Sequence, residues 1–381
     1  MWISSFHVAH CNAGLIYAIR NRTCRYLMAN NLQGSRIRVL FSNEIGKTAA
    51  WIGGACIEKT DALGNSLGAQ PVSITANGKR EFRLQPGEKR YSDPIPVAVQ
   101  PGEMLALRIY FPKKTVPGVI CGDYASRSLP GNHCDDIPFQ TDEQQDLVPR
   151  LMHLPYEVCF KLFKSLEVDT DEPIQVLSAI GDSITASCAW FEPLRKRLYE
   201  SYPGQIACGN TGIAGGRLLK ESPKQFGEMF GQAGVHRFER DVLSVAGISH
   251  VIFALGTNDI GYPGHIEKKA PMPTVEEFLQ AYGTLAARCR ERKIRSAYLS
   301  IFPRDDSFQS PLLEQRRLEI NRALENSGLF DYCVNAEDAL RDPNGVGCRA
   351  EYVNPDKLHL NEQGGRIVAD QFDLAKLLGR E

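Results

Sequence analysis

From residue 171 onward, short apolar runs alternate with amphipathic stretches of helical length, and this alternation constrains the fold more than any other feature. The apolar runs lie at residues 176–180, 206–208, 250–255, 296–302 and 332–334. Helix starts are recognisable in the amphipathic stretches: a capping box at Thr274, a proline directly after Ser310, and Asn361 before the last stretch. Five βα units of this length predict a doubly wound parallel sheet, in which ligands bind beyond the carboxyl ends of the strands.

Residues 1–170 carry a different pattern, with short runs of alternating apolar and polar residues bounded by Gly, Pro, Asn or Asp. These runs lie at residues 37–41, 72–75, 81–84, 95–99 and 105–109, with one more strand expected at 156–163. They predict an all-β sandwich. We expect this sandwich to be jelly-roll-like and to bind carbohydrate or shape the substrate site. The Pro-, Gly- and Asp-rich stretch 112–150 predicts a packed functional loop. We therefore expect a sandwich domain over residues 1–170 and a catalytic domain over 171–381.

The charge balance and the cysteines exclude several classes of protein. Lys plus Arg (44) nearly equals Asp plus Glu (45), so no strong positive field attracts nucleic acid and no polybasic segment attracts a membrane surface. The 11 cysteines are scattered and contain no C-x-x-C pair, which argues against a disulfide framework and a zinc site. We find no signal peptide and no apolar window of membrane-spanning length. We expect a cytoplasmic protein without metal, nucleic-acid or membrane partners, of undetermined oligomeric state.

Polar residues follow the first three predicted strands, and more lie in a loop before the last predicted helix; together they include a complete set of groups for nucleophilic catalysis. The motifs are G-D-S-I at 181–184, N-T-G-I-A-G-G at 210–216, G-T-N-D at 256–259 and D-K-L-H at 356–359. A serine hydroxyl needs a neutral imidazole to take its proton, and a carboxylate on the other ring nitrogen orients that imidazole. We assign Ser183 as the nucleophile, His359 as the base and Asp356 as the orienting acid.

The oxyanion that forms during acyl transfer needs fixed donors. The available ones are the backbone N–H groups of Ser183 and Gly215 and the side-chain amide of Asn258. Further residues near the strand ends are expected to contact the substrate: Asp182, Trp190, Tyr262 and Arg217. Each motif also has a structural interpretation, because G-D-S by itself is typical of a capped strand-to-helix turn, Asn258 can hold a loop, and Trp190 equally suits a core.

The four motifs, in this order over about 190 residues, resemble the SGNH (GDSL-like) hydrolase family. That resemblance implies a flavodoxin-like three-layer domain, ester hydrolysis without metal or cofactor, and an oxyanion hole built from Ser183, Gly215 and Asn258. The stretch 212–261 is also similar to a bacterial subgroup with an N-terminal β-sandwich. The G-x-S-x-G nucleophile elbow does not fit, because its last position is Thr185, and we expect the next helix to start near Thr185 or Ser187.

The predicted function is a serine ester hydrolase that removes a short acyl group, most simply acetyl, from a soluble polar alcohol such as a saccharide. The loops 261–265 and 304–307 are polar and Gly/Pro-rich, unlike the apolar lid of a lipase. Two alternatives stay open. The same triad serves a thioesterase, a lysophospholipase or a transacylase, and a carbohydrate-binding module with a vestigial triad is the non-enzyme alternative.

Overall fold

The computed structural model describes residues 1–12, 18–116, 118–121, 126–137 and 158–380. The chain divides into two compact units. One comprises Met1–Val176, Tyr199–Gly209 and Val245–Gly247, and the other Leu177–Leu198, Asn210–Ser244 and Ile248–Glu381. A domain boundary between residues 170 and 171 stays a prediction.

The N-terminal part of the chain is built from antiparallel strands. They are β1 (Trp2–His7), β2 (Arg22–Ala29), β3 (Arg36–Ser42), β4 (Ala50–Ile52), β5 (Gly54–Thr60), β6 (Val72–Ser73), β7 (Phe82–Leu84), β8 (Lys89–Tyr91), β9 (Met104–Phe111), β10 (Gly118–Cys121), β11 (Ser126–Pro130), β12 (Val158–Lys161) and β13 (Phe163–Asp169). The two larger sheets have the orders β1-β13-β3-β8 and β11-β2-β9-β5-β6. Two-stranded sheets pair β10 with β12 and β4 with β7.

The core between the two larger sheets is aromatic. The ring of Tyr26, on β2, lies 5.2 Å from that of Phe163 on β13, and Phe6 of β1 lies 6.1 Å from Phe163. All three side chains are buried, so the sheets pack face to face and form the predicted sandwich. The predicted runs 37–41, 72–75, 81–84 and 105–109 correspond to β3, β6, β7 and β9.

The strand predicted at residues 95–99 is wrong. Only isolated bridges form there, from Ile95 to Ile37 and from Val99 to Gly34. Pro94 and Pro96 explain the difference, because proline has no N–H to donate to a ladder. The strand predicted at 156–163 begins outside the described residues and is divided between β12 and β13. Part of the expected functional loop, at 117, 122–125 and 138–150, also lies outside the described residues.

The C-terminal part forms the predicted five-stranded parallel sheet. Its strands are β14 (Gln175–Gly181), β15 (Ile206–Asn210), β16 (Ile248–Ala254), β17 (Arg295–Leu299) and β18 (Tyr332–Val334). Their order, β15-β14-β16-β17-β18, is the 2-1-3-4-5 order of flavodoxin-like sheets, and it confirms the predicted fold class. From β14 the chain adds β15 on one side and then β16 on the other. The strand order therefore reverses between β14 and β16, and ligands are expected at the carboxyl edge of this switch point.

Helices connect these strands. They are α1 (Ser183–Ala186), α2 (Phe191–Ser201), α3 (Gly234–Phe238), α4 (Thr257–Gly261), α5 (Val275–Glu291), α6 (Pro311–Glu325), α7 (Glu337–Leu340), α8 (Glu362–Asp370) and α9 (Leu374–Leu378). The three predicted caps are present, since the side chains of Thr274, Ser310 and Asn361 accept backbone hydrogen bonds at the starts of α5, α6 and α8. In contrast, α1 begins at Ser183 rather than near Thr185 or Ser187, because the Asp182 carboxylate caps it.

Candidate active site

Ser183 lies at the junction of β14 and α1, at the carboxyl edge of the parallel sheet. The carboxylate of Asp182 accepts the Ile184 N–H at 3.0 Å and thereby fixes the start of α1. Because Ser183 is the first residue of this helix, its own N–H has no acceptor within the helix. The local sequence therefore places a hydroxyl and a backbone donor side by side.

His359 connects Ser183 to Asp356, although the serine and the histidine are 176 residues apart. The Nε2 atom of His359 lies 2.8 Å from the Ser183 Oγ, and its Nδ1 lies 2.7 Å from an Asp356 carboxylate oxygen. This chain of hydrogen bonds requires the tautomer in which Nδ1 donates to the carboxylate and Nε2 accepts from the serine hydroxyl. The side chains of Ser183 and His359 are both largely buried.

The loop that carries Asp356 is held by its own backbone. The Asp356 carboxylate also accepts the N–H groups of Leu358, at 3.1 Å, and His359, at 3.0 Å. Burial acts to raise the pKa of Asp356, but the hydrogen bonds from the side chain and backbone of His359 and from Leu358 outweigh it and lower the pKa to about 2. Asp356 is therefore ionised throughout the pH range in which a neutral imidazole exists.

Gly215 belongs to a loop that is hydrogen-bonded to α4, the helix that carries Asn258. One N–H of the Asn258 amide donates to the Gly216 carbonyl at 3.0 Å, which leaves its second N–H for another acceptor. Gly215 has a φ of +73°, and a Cβ at this position would collide with the ring of Phe230, so only glycine fits. The same loop is anchored beside the nucleophile, because Ile213 N–H donates to the Gly181 carbonyl at 3.0 Å.

Residues 179–367 match the family model described as GDSL-like Lipase/Acylhydrolase family. The chain contains a GDSL-like acylhydrolase domain. This match confirms the family predicted from the four motifs and makes the protein a serine ester hydrolase. No match was found among curated proteins.

Solved structures similar to this chain include three hydrolases. A GDSL-like lipase from Bacteroides thetaiotaomicron has 18% identity and a TM-score of 0.39, covering 55% of this chain and 91% of its own. A variant of an acetyl xylan esterase from Geobacillus stearothermophilus has 18% identity and a TM-score of 0.41, covering 55% and 98%. The α/β hydrolase LAE5 from the Lake Arreo metagenome has 17% identity and a TM-score of 0.40, covering 54% and 96%. The family assignment rests on the family model and not on these similarities.

Asp259 stabilises the GDSL-like domain next to the candidate site. Its two carboxylate oxygens accept the N–H groups of Leu218, at 2.8 Å, and Leu219, at 2.9 Å. Burial raises the pKa of Asp259 to about 6 in spite of these hydrogen bonds. The carboxylate thus joins α4, which carries Asn258, to the segment that follows Gly215.

The four predicted substrate-binding residues of the GDSL-like domain are all buried. Trp190 is fully buried, stacked 5.8 Å from Phe372, and has no exposed surface for a substrate. Arg217 forms an ion pair with Glu267 at 2.6 Å and lies over the ring of Tyr262. Asp182 is 1% exposed and Tyr262 5%, and the hydroxyl of Tyr262 donates to the Gly215 carbonyl at 3.2 Å. Ser183, Asn258 and His359 are also buried, with 6%, 7% and 8% exposed, so a role of these four residues in substrate binding stays a prediction.

Sequence reasoning missed Phe230, which covers Gly215. Its ring is only partly buried and lies 4.6 Å from that of Phe226 and 6.1 Å from that of Tyr262. The only signal in the sequence is the pair of phenylalanines in the Gly-rich segment 226–231, which has neither a helical nor a strand period. Gly215 therefore lies between two aromatic residues. The ring of Phe230 packs against the Cα of Gly215, and the hydroxyl of Tyr262 donates to the Gly215 carbonyl.

Two features are absent from the described part of the GDSL-like protein. No group of three or more His, Cys, Asp or Glu side chains among the described residues is placed to hold a metal ion. None of the described helices is long and apolar enough to cross a membrane.

Proposed function

We propose that this domain hydrolyses esters through an acyl-enzyme on Ser183, and that its preferred substrates carry a short acyl group, most simply acetyl, on a polar alcohol such as a saccharide. The observation that carries the proposal is the chain of hydrogen bonds from Ser183 through His359 to Asp356, with distances of 2.8 and 2.7 Å. Such a chain activates a serine hydroxyl for attack on a carbonyl carbon.

The first half of the reaction acylates the enzyme. His359 Nε2 takes the hydroxyl proton as Ser183 Oγ attacks the ester carbonyl, and Asp356 stabilises the imidazolium. The resulting oxyanion accepts hydrogen bonds from the Ser183 and Gly215 N–H groups and from the second amide N–H of Asn258. Collapse of the tetrahedral species breaks the bond to the alcohol oxygen, which leaves with the proton from His359.

The second half of the reaction releases the acid. A water molecule gives its proton to His359 Nε2 and attacks the acyl carbon, and the same three donors stabilise the second oxyanion. When this intermediate collapses, the bond to Ser183 Oγ breaks and the proton returns to the serine. Replacement of the water by another alcohol gives a transacylase with the same residues.

Two features support a short acyl group and a polar alcohol. Phe230 lies against the Cα of Gly215 and so restricts the space beside one proposed oxyanion donor. The described segments 261–265 and 304–308 have no large apolar side chain that is exposed to solvent. They contain instead a stack of the His265 and Phe308 rings, 4.7 Å apart, and an ion pair between Arg304 and Asp306. A stacked ring next to charged hydrogen-bonding groups suits a sugar better than an aggregated lipid.

The deciding experiment measures kcat/KM for acetyl against C8 to C12 esters of one alcohol, with a thioester and a lysophospholipid as further substrates. A preference for the acetyl ester supports the proposal. A clear preference for long chains, for the thioester or for the lysophospholipid replaces it with the corresponding alternative. Acetylated mono- and oligosaccharides then test the alcohol part.

Phe230→Ala should widen acyl specificity. Because the ring borders the proposed position of the acyl carbon, its removal is expected to raise the ratio of kcat/KM for hexanoyl to acetyl esters by about tenfold or more. The matched control is Phe308→Ala, which removes an aromatic ring that does not contact Gly215 and should leave the acyl ratio unchanged. An unchanged ratio in Phe230→Ala would show that the acyl group binds elsewhere.

Asn258→Ala should lower kcat by roughly 10²–10³ with little change in KM, because the amide is proposed to bind the oxyanion and not the ground-state ester. Asn258→Asp keeps the size of the side chain but replaces the donor with an acceptor, so it should be at least as impaired. Thermal unfolding of both variants controls for the lost Gly216 hydrogen bond. An effect on KM alone would assign Asn258 to substrate binding.

A further inference from the structure

A small cavity lies next to the nucleophile and is lined by residues on either side of it. Asp182 and Ile184 contribute to its wall, together with Thr185, Trp190 and the carboxyl ends of β16 and β17. Three polar side-chain atoms of this wall are buried and make no hydrogen bond of normal geometry with another described residue: Asp182 Oδ2, Thr185 Oγ1 and Trp190 Nε1. The hydroxyl of Thr257 also lines the cavity and interacts with the Asp182 carboxylate. Buried polar atoms without partners are rare in folded proteins, and three around one cavity indicate a common ligand.

The size and the chemistry of the cavity suit a water molecule as that ligand. Its volume is about 20 Å³, enough for one water molecule. The indole N–H of Trp190 only donates, the carboxylate of Asp182 accepts, and the hydroxyl of Thr185 does either. A water molecule offers one acceptor and two donors in return, and three hydrogen bonds are typical of buried water.

We propose that one buried water molecule binds in this cavity and bridges Asp182, Thr185 and Trp190. The indole N–H donates to the water oxygen, and the water donates one hydrogen to Asp182 Oδ2 and the other to Thr185 Oγ1. The hydroxyl of Thr185 packs against the Cα of Gly181, so closely that a Cβ on residue 181 would collide with the Thr185 Oγ1. This packing constrains the position of the Thr185 hydroxyl. Trp190 is likewise fixed by its stack on Phe372.

The water has a consequence for catalysis that rests on the function proposed above. The other carboxylate oxygen of Asp182 caps α1 through the Ile184 N–H, so the orientation of this carboxylate sets the first turn of the helix. That turn includes Ser183, whose N–H is a proposed oxyanion donor. Asp182, Thr185 and Trp190 are therefore positioning residues for the Ser183 N–H, and the water connects their side chains by hydrogen bonds.

A double-mutant cycle tests the shared water. Trp190→Phe removes the indole N–H and retains an aromatic ring, and Thr185→Val removes only the hydroxyl. Each variant is expected to lower kcat about fivefold with KM changed by less than about twofold, because positioning of the oxyanion donor matters most in the transition state. The double variant should also be only about fivefold slower, since either single change already releases the water.

Additive effects, with the double variant about 25-fold slower, would overturn the proposal, as would single variants that alter KM alone. Phe330→Leu is the control for lost packing, because it removes a ring that stacks on Tyr298 and does not line the cavity. It should lower the melting temperature and leave kcat unchanged. A loss of kcat in this control equal to that in Trp190→Phe would assign the effect to packing.

A crystal structure of the Ser183→Ala variant tests the water without any reference to activity. Ordered density within hydrogen-bond distance of Trp190 Nε1 and Asp182 Oδ2 is expected, and its loss in Trp190→Phe would identify the indole as its partner. An empty cavity, or one filled by a rotated side chain, would overturn the water site. Because this result does not depend on which residue attacks the substrate, it separates failure of the water site from failure of the proposed function.

Discussion

Ser183→Ala should lower kcat for an acetyl ester by about 10⁵–10⁶, the scale at which loss of the nucleophile abolishes catalysis by a serine triad. The expected effect is large because the hydroxyl forms the acyl-enzyme bond and lies 2.8 Å from His359 Nε2, the proposed base. The residual rate above that in water comes from the remaining oxyanion donors. Steady-state kinetics and labelling with a serine-reactive phosphonate measure the effect.

Ser187→Ala is the matched control for this change. Ser187 follows α1, and its hydroxyl donates to the Ile184 carbonyl at 3.0 Å, not to the histidine. This variant should keep both turnover and labelling. Wild-type protein that is folded but takes up no phosphonate would favour the binding module with a vestigial triad, and turnover in Ser183→Ala comparable to wild type would refute the mechanism.

His359→Ala should be almost as inactive as the serine variant, with kcat lowered by about 10⁵–10⁶, because His359 Nε2 is the proposed acceptor of the Ser183 proton. Asp356→Asn should be milder, with a loss of about 10⁴ or less, since the carboxylate orients the imidazole and does not move the proton itself. The comparison uses kcat for the same acetyl ester in both variants.

His236→Ala provides the control for loss of a histidine. His236 is exposed and pairs with Glu221, away from the Ser183–His359 hydrogen bond, so its removal should leave kcat unchanged. If Asp356→Asn were more impaired than His359→Ala, the roles assigned to the two residues would be wrong. Thermal unfolding of the Asp356 variant also shows whether the loop loses stability when the backbone bonds to Leu358 and His359 weaken.

The parallel sheet was predictable because each of its strands is a short apolar run between helical segments. Where an amphipathic pattern and a cap coincide, as at Thr274 and Ser310, the helix begins at the predicted residue. The sandwich was less predictable. In β1, Trp2–His7, five of six residues are buried, including two serines and a histidine, so burial does not follow the alternation of residue types.

The sequence by itself determined which chemical groups follow each strand of the sheet. Once the strands are parallel, their carboxyl ends lie at one edge, which explains why the motifs around Ser183, Gly215 and Asn258 could be placed together from their order alone. The Asp356–His359 pair lies in the loop before α8 and was assigned from its chemistry and spacing. The caps and the tight turns were equally accessible, since their hydrogen bonds join residues only a few positions apart.

Only the tertiary structure decided which side chains are buried and what they contact. The four residues expected to bind substrate proved to be interior, Phe230 came to lie on Gly215, and the polar atoms of Asp182, Thr185 and Trp190 came to line one cavity. These contacts depend on loops with no apolar period and on the packing of side chains distant in sequence. Residue type and spacing do not predict these contacts. An aromatic side chain or a carboxylate occurs both at surfaces and in cores, and the neighbouring side chains in the folded protein decide which environment it has.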